Sequence, residues 1–119
     1  MKSNKNIVLI GMMGSGKSSI GKILSKKLNL TFIDIDQKIE ETEDSKISEI
    51  FTKYGEKYFR KIEEKISLKF LSSENSVISL GGGGFINYSI RKTCKKNCLS
   101  FWLDWKNETI IKRLSLIHI

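Results

Sequence analysis

The chain has 119 residues, the length of one small domain, and carries 21 basic and 13 acidic residues for a formal net charge of +8. The lysines are spread among glutamates rather than clustered with aromatic residues, which argues against a nucleic-acid-binding protein. No apolar stretch approaches the ~20 residues of a membrane span, and the polar N-terminus does not resemble a signal peptide. Two cysteines and one histidine are too few for the usual ligand set of a structural zinc site. We therefore expect a soluble, cytoplasmic protein.

A phosphate-loop motif stands near the N-terminus. Residues 11–18 read Gly-Met-Met-Gly-Ser-Gly-Lys-Ser and match G-x-x-x-x-G-K-[ST] at every fixed position. The apolar run 6–10 predicts a buried strand before the loop, and apolar residues recur at helical spacing after it. The apolar face of this predicted helix consists of Ile20, Ile23, Leu24 and Leu28. A glycine-rich turn with a chance lysine is the alternative, which the strand–loop–helix context disfavours.

The chemistry of nucleotide binding needs these residue types. The glycines let backbone N–H groups point inward at a phosphate, and the N-terminus of the following helix adds positive potential. Lys17 would reach the β- and γ-oxygens, and the hydroxyl of Ser18 would ligate Mg²⁺. The predicted ATP-binding residues are Gly14, Ser15, Gly16, Lys17, Ser18 and Ser19.

Strands and helices alternate along the rest of the chain. The predicted strands are residues 6–10, 30–34, 76–80 and 99–103. The helices predicted after the first are a short turn at 38–43, a helix capped by Ser45 and ended by Gly55, and helices at 56–71, 89–96 and 107–113. This alternation predicts an α/β fold in which a mostly parallel sheet is flanked by helices.

Ligands of such sheets bind at the carboxyl ends of the strands, where two further groups of residues stand out. Asp34 and Asp36 follow the second strand. One carboxylate could hold Mg²⁺ while the other orients an acceptor hydroxyl or takes its proton, whereas the alternative is that Asp36 caps a helix. Four glycines at 81–84 follow the third strand, and they would either admit a substrate close to the backbone or form a flexible turn.

Arg60 is one of three arginines in a lysine-rich chain. The planar guanidinium suits bidentate pairing with a carboxylate, which lysine does not provide. The alternative is a weak surface ion pair with Glu63 or Glu64 on the same helix. Spacing alone does not choose between the two interpretations.

Four segments taken together closely resemble shikimate kinase, in family order: residues 11–21, 34–36, 59–64 and 79–83. The resemblance implies a three-layer P-loop fold of the nucleoside-monophosphate-kinase type. It also implies transfer of the ATP γ-phosphate to the 3-hydroxyl of shikimate, in aromatic amino-acid biosynthesis, with ATP and Mg²⁺.

The same resemblance implies roles for individual residues. Lys17 and Asp36 would be catalytic, and Ser18 and Asp34 would lie at the metal. The residues implied in shikimate binding are Asp36, Arg60, Gly81, Gly82 and Gly83. Arg113 lies where the family often has an arginine beside the adenine.

The chain departs from the family pattern after Arg113. Residues 114–119 do not read as the family's lid, and its last strand and C-terminal helix are not recognisable, so we expect a single kinase domain over residues 1–119 that lacks these parts. Such a chain would bind Mg·ATP and transfer phosphate slowly. The alternatives are a kinase for another hydroxy acid such as gluconate, and an ATP-binding fragment without transfer activity. We expect a monomer with small-molecule partners and no nucleic-acid or membrane partner.

Overall fold

A computed structural model of the chain describes residues 6–11, 17–81 and 86–103, with the backbone alone for residues 11, 17–19, 97, 99 and 101–103. The strands are β1 (Asn6–Gly11), β2 (Thr31–Asp34), β3 (Ser76–Leu80) and β4 (Cys98–Leu103). The helices are α1 (Lys17–Leu28), α2 (Ile35–Glu43), α3 (Ile47–Leu71) and α4 (Tyr88–Asn97). The helix predicted at 107–113 lies outside the described residues.

The four strands form one parallel sheet in the order β2-β3-β1-β4. β1 lies between β3 and β4, so the first strand of the chain is central and β2 is at an edge. Each connection between strands contains at least one helix, as parallel strands require. The predicted α/β fold with a parallel sheet and flanking helices is therefore confirmed.

Alternate residues of the central strands face opposite layers of helices. Ile7 and Leu9 of β1 pack with Val77 of β3 and with Ile20 and Leu24 of α1. The other face carries the larger core, which joins the sheet to α2, α3 and α4. Its strand residues are Val8, Ile10, Ile33, Ile78, Leu80 and Cys98. The molecule thus has three layers, with α1 on one face of the sheet.

The apolar face of α1 is narrower than its sequence pattern predicts. Ile20 and Leu24 are buried, but Ile23 is 47% exposed, so the prediction that Ile23 belongs to the buried face is wrong. The helix lies very close to β2 instead. Gly21 faces the Phe32 ring so closely that a Cβ added to this glycine would overlap Cε1 of Phe32. This close approach turns the contact face toward Gly21 and leaves Ile23 at the surface.

Helix α3 consists of two segments that meet at Gly55, where φ is 87° and ψ is 173°. Any residue with a side chain would be strained at this φ. The break confirms the predicted division of this region at Gly55. The predicted cap at Ser45 is wrong, because the N-cap is Lys46. Two carboxylates satisfy the backbone there, since Glu49 accepts from the Lys46 N–H and Glu40 from the Ile47 N–H, both at 2.9 Å.

Two polar side chains connect elements that are distant in the chain. The buried amide of Asn6 donates to Leu71 O and Ser73 O and accepts from the Ser76 N–H, which ties the start of β1 to the connection between α3 and β3. The Tyr58 hydroxyl donates to Glu43 Oε1 at 2.7 Å, linking the end of α2 to the second segment of α3.

Both cysteines are free thiols buried beside the sheet. A hydrogen bond with Cys98, together with burial, raises the pKa of Cys94 well above its usual range. This pair packs the end of α4 against β4. Among the helices of the described segments, none is long and apolar enough to cross a membrane.

The contact between Gly21 and Phe32 generates a stability prediction. Gly21→Ala should lower the free energy of unfolding by about 1–3 kcal/mol, because the overlap outweighs the helix propensity gained with alanine, which is at most about 1 kcal/mol. Urea unfolding measures the change, with Lys22→Ala on the exposed side of α1 as the control. Adding Phe32→Leu should recover part of the loss. A Gly21→Ala protein as stable as the parent would contradict the packing described.

The hydrogen bond to Glu43 raises the pKa of the Tyr58 hydroxyl above its usual value of 10.0. The folded state therefore holds the proton more tightly than the unfolded state does. Its contribution to stability is complete below pH 10.0 and is lost as the pH rises through the higher folded value. Absorbance titration of the three tyrosines should show one late step. Tyr58→Phe should remove that step and Tyr54→Phe should keep it; a late step that survives Tyr58→Phe would refute the assignment.

Candidate functional site

The strand register brings the carboxyl ends of β1, β2 and β3 to one edge of the sheet. Ile10 pairs with Leu80, the last residue of β3, so β1 extends one residue beyond β3 and ends at Gly11. Asp34 pairs with Ser79, so β2 ends one residue short of β3. The N-terminus of α1 follows β1 at the same edge. Gly11, Asp34 and Gly81 thus share one edge because the strands are parallel.

The two aspartates after β2 have different surroundings. Asp34 is the N-cap of α2, and its Oδ1 accepts from the Gln37 N–H at 3.4 Å. Asp36 lies in the first turn of α2 and its carboxylate approaches the first glycine after β3. The alternative in which Asp36 is the helix cap is therefore wrong, since Asp34 has that position.

Gly81 lies against two carboxylates. A Cβ built on this glycine would be 3.0 Å from Asp36 Oδ1 and 3.5 Å from Glu63 Oε2. The first distance is tighter than nine in ten contacts of real Cβ atoms, so Asp36 would have to shift by a few tenths of an ångström to admit a side chain. The interpretation of the whole glycine run, as a site of close substrate approach or as a flexible turn, stays a prediction.

Arg60 is held by acidic residues one turn away on either side. Its Nη1 donates to Glu63 Oε1 at 2.9 Å, and its Nη2 lies 3.6 Å from Glu56 Oε2. The guanidinium also lies 5.3 Å from the centre of the Phe59 ring. The side chain of Glu63 is only 4% exposed, whereas that of Arg60 is 41% exposed. A buried carboxylate therefore orients a cation that reaches solvent.

Glu63 connects Arg60 with Gly81 and Asp36. One carboxylate oxygen accepts from Arg60 and the other faces Gly81, beside Asp36. The sequence indicates Glu63 only as a partner in a weak surface pair, and the burial of its side chain changes that interpretation. The available signal was the spacing of three residues from Arg60, which places both on one face of a helix.

A second contact between α3 and the segment after β3 was not predicted at all. The amide of Asn87, which caps α4, donates to Glu64 Oε2 at 2.7 Å. These residues are 23 positions apart, and no short-range pattern indicates that they meet.

The structure brings together only part of the predicted site. Asp34, Asp36, Arg60 and Gly81 lie at or beside the sheet edge, and Lys17, Ser18 and Ser19 form the start of α1, where the backbone alone is described. The predicted site residues outside the described part of the chain are Gly14, Ser15, Gly16, Gly82, Gly83 and Arg113.

The described residues can recognise an anionic, hydroxylated molecule. Asp36 supplies a hydrogen-bond acceptor, and Arg60 supplies a cation suited to a carboxylate. Within the described segments, no group of three or more His, Cys, Asp or Glu side chains could hold a metal by itself.

Comparison with known proteins identifies relatives. A shikimate kinase from Persephonella marina is 48% identical over 110 residues, covering 92% of this chain and 66% of that protein. The shikimate kinase from Bacillus subtilis is 48% identical over 106 residues, covering 87% of this chain and 57% of that protein. The chain thus spans less than two thirds of the length of these curated relatives.

Solved structures agree with the sequence relatives. The crystal structure of shikimate kinase from Aquifex aeolicus superposes with a TM-score of 0.80 at 39% identity, covering 88% of this chain and 62% of that one. Shikimate kinase from Acinetobacter baumannii in complex with shikimate gives 0.83 at 32% identity, covering 92% and 62%. A gluconokinase from Sinorhizobium meliloti gives 0.57 at 18% identity, covering 96% and 65%, which shows a shared fold alone.

A sequence profile described as shikimate kinase matches residues 13–117, which is most of the chain. The profile, the identities and the superpositions agree, and the chain belongs to the shikimate kinase family.

Proposed function

We propose that the protein transfers the γ-phosphoryl group of ATP to the 3-hydroxyl of shikimate. The observation that carries the proposal is the cluster of Asp36, Glu63 and Arg60 around Gly81, at the edge of the sheet where α1 begins. Family membership supports it, as does the relative from Acinetobacter baumannii, whose structure contains shikimate.

Arg60 would bind the carboxylate of shikimate. Its ion pair with Glu63 leaves 41% of the side chain exposed, so the guanidinium is oriented before the substrate arrives. Glu63 itself is too deeply buried to meet a ligand from solvent and would act on the substrate through Arg60. Pre-orientation reduces the entropy lost on binding, which is the advantage of holding the cation with a buried partner.

Asp36 would accept the proton of the attacking hydroxyl. It is the carboxylate nearest to Gly81, so a ring resting against Gly81, Gly82 and Gly83 would present its hydroxyls to this side chain. A base must lie within hydrogen-bond reach of the proton it removes, and the glycine run allows that approach. Asp34 is engaged as a helix cap and would serve the metal rather than the substrate.

The nucleotide would bind at the N-terminus of α1. Backbone donors from Gly14 to Ser19 would surround the phosphates, Lys17 would contact the transferred group, and Arg113 would lie beside the adenine. Ser18 and Asp34 would hold Mg²⁺, since hydroxyl and carboxylate oxygens suit this hard cation. When bound, Mg²⁺ neutralises charge that develops on the phosphates.

A gluconate kinase and an ATP-binding protein without transfer activity are the competing proposals. Both would keep the phosphate loop, but only shikimate offers a rigid ring bearing both the carboxylate for Arg60 and a hydroxyl for Asp36. Calorimetry with shikimate, gluconate and ATP, followed by coupled measurement of ADP release, separates the three. Because the chain spans less than two thirds of its relatives, turnover is also measured on a version extended by the C-terminal part of the Persephonella marina relative. Gluconate binding in preference to shikimate would refute the proposal.

We also propose that the protein acts in the cytoplasm as a monomer on small molecules. The mixture of lysines with glutamates along the sequence supports small-molecule partners over nucleic acid, since a nucleic-acid-binding surface would need a cluster of basic residues.

Arg60→Lys should weaken shikimate binding by about 10–100-fold and leave ATP affinity unchanged. Lysine keeps the charge but lacks the planar fork that contacts Glu63 and a carboxylate together. Calorimetry with each ligand measures the effect. Arg91→Lys on α4 is the matched control, because Arg91 donates to a backbone carbonyl, that of Ile86. A similar loss for both ligands would mean that Arg60 has a structural role.

Lys17→Ala should reduce the rate of phosphoryl transfer about 10²–10³-fold, the usual effect of removing one contact to charge that develops in a transition state. The extended version gives the rate of ADP release, and circular dichroism reports whether the fold persists. Lys22→Ala, on the exposed side of the same helix, should keep the parent rate. Near-normal turnover of Lys17→Ala would exclude the phosphate-loop assignment.

A further inference from the structure

Two described residues that follow β3 contact α3. Gly81 packs against Glu63. The Asn87 amide donates to Glu64 Oε2 at 2.7 Å, a short bond as expected for a charged acceptor. Glu63 and Glu64 are neighbours in sequence, so one turn of helix contacts both residues.

The side chain of Asn87 performs two tasks that require an amide. Its Oδ1 accepts from the Ile90 N–H at 3.0 Å and caps α4, while its Nδ2 donates to Glu64. Aspartate could also cap α4 but would repel Glu64, and serine is too short to contact both the Ile90 N–H and Glu64. The helix anchored in this way is well packed, since Ile90 is fully buried in the core shared with α3.

We propose that Asn87 and Glu64 are positioning residues for the substrate site and hold the turn of α3 that carries Arg60 against the start of α4. The inference rests on the proposed function and adds residues to it. Arg60 lies one turn before Glu64, so a contact that fixes Glu64 also restrains the turn that presents the substrate cation. Loss of this contact would let Arg60 move relative to Asp36 and Gly81, while the nucleotide site on α1 lies on different elements.

The test uses the complete chain and reverses the polarity of the hydrogen bond. Asn87→Asp keeps the cap and loses the donor, and we expect shikimate affinity to fall about tenfold, with ATP affinity within about twofold of the parent. In the double variant Asn87→Asp with Glu64→Gln, the new amide donates to the new carboxylate, and shikimate affinity should return to within about threefold of the parent. Calorimetry gives both affinities, and thermal unfolding is measured in parallel.

Asn75→Asp is the control for added negative charge. Asn75 is exposed just before β3, at the opposite edge of the sheet, and its φ of 55° is one that aspartate tolerates. The Asn75→Asp variant should bind shikimate with the affinity of the parent.

The outcomes separate the inference from the function on which it rests. A parent protein that binds no shikimate refutes both. A parent that binds shikimate while Asn87→Asp binds it equally well refutes the inference alone. Equal loss for shikimate and ATP, or failure of the double variant to recover affinity, shows a merely structural contact and also overturns the inference.

Discussion

The parallel pairing of β1 with β3 determines where the functional parts of this molecule lie. Both strands are buried on both faces, and their alternate residues enter the two cores, so a shift of one residue in register would exchange the cores. The register in which Ile10 meets Leu80 brings the end of β1 level with Gly81. Gly11 and Gly81, the described residues that border the phosphate-loop motif and the glycine run, are therefore neighbours because of the sheet.

A second constraint comes from the burial of Glu63. An ionised carboxylate that is almost inaccessible needs compensating partners, and Arg60 is the cation that the described residues provide. The requirement acts in both directions, because the carboxylate gains a partner and the long arginine side chain is confined to one orientation. The alternative interpretation of Arg60 named Glu63 or Glu64 as its partner, and the structure shows Glu63. The partner's burial makes the pair part of the site instead of a weak surface contact.

Helix α3 joins these constraints. Its first segment contacts α2 where the Ile47 N–H donates to Glu40, and its second segment contacts α2 where the Tyr58 hydroxyl donates to Glu43. The second segment also carries Arg60. Because Asp36 is on α2 and Gly81 follows β3, the proposed substrate site draws on three elements, and the positive φ at Gly55 sets the direction of the one that carries the cation.

The sequence by itself determined the α/β class, the order of the described strands and helices, and the division at Gly55. These features follow from local patterns: apolar runs, helical periodicity and the conformational freedom of glycine. Only the tertiary structure decided that β1 lies between β3 and β4, that Asp34 rather than Asp36 caps α2, and that Ile23 is exposed. It also decided the contact between Asn87 and Glu64. The cap is a local hydrogen bond, and spacing alone left both aspartates as candidates for it. The other features depend on contacts between elements distant in the chain, and the pattern of one element contains no information about which partner will cover it.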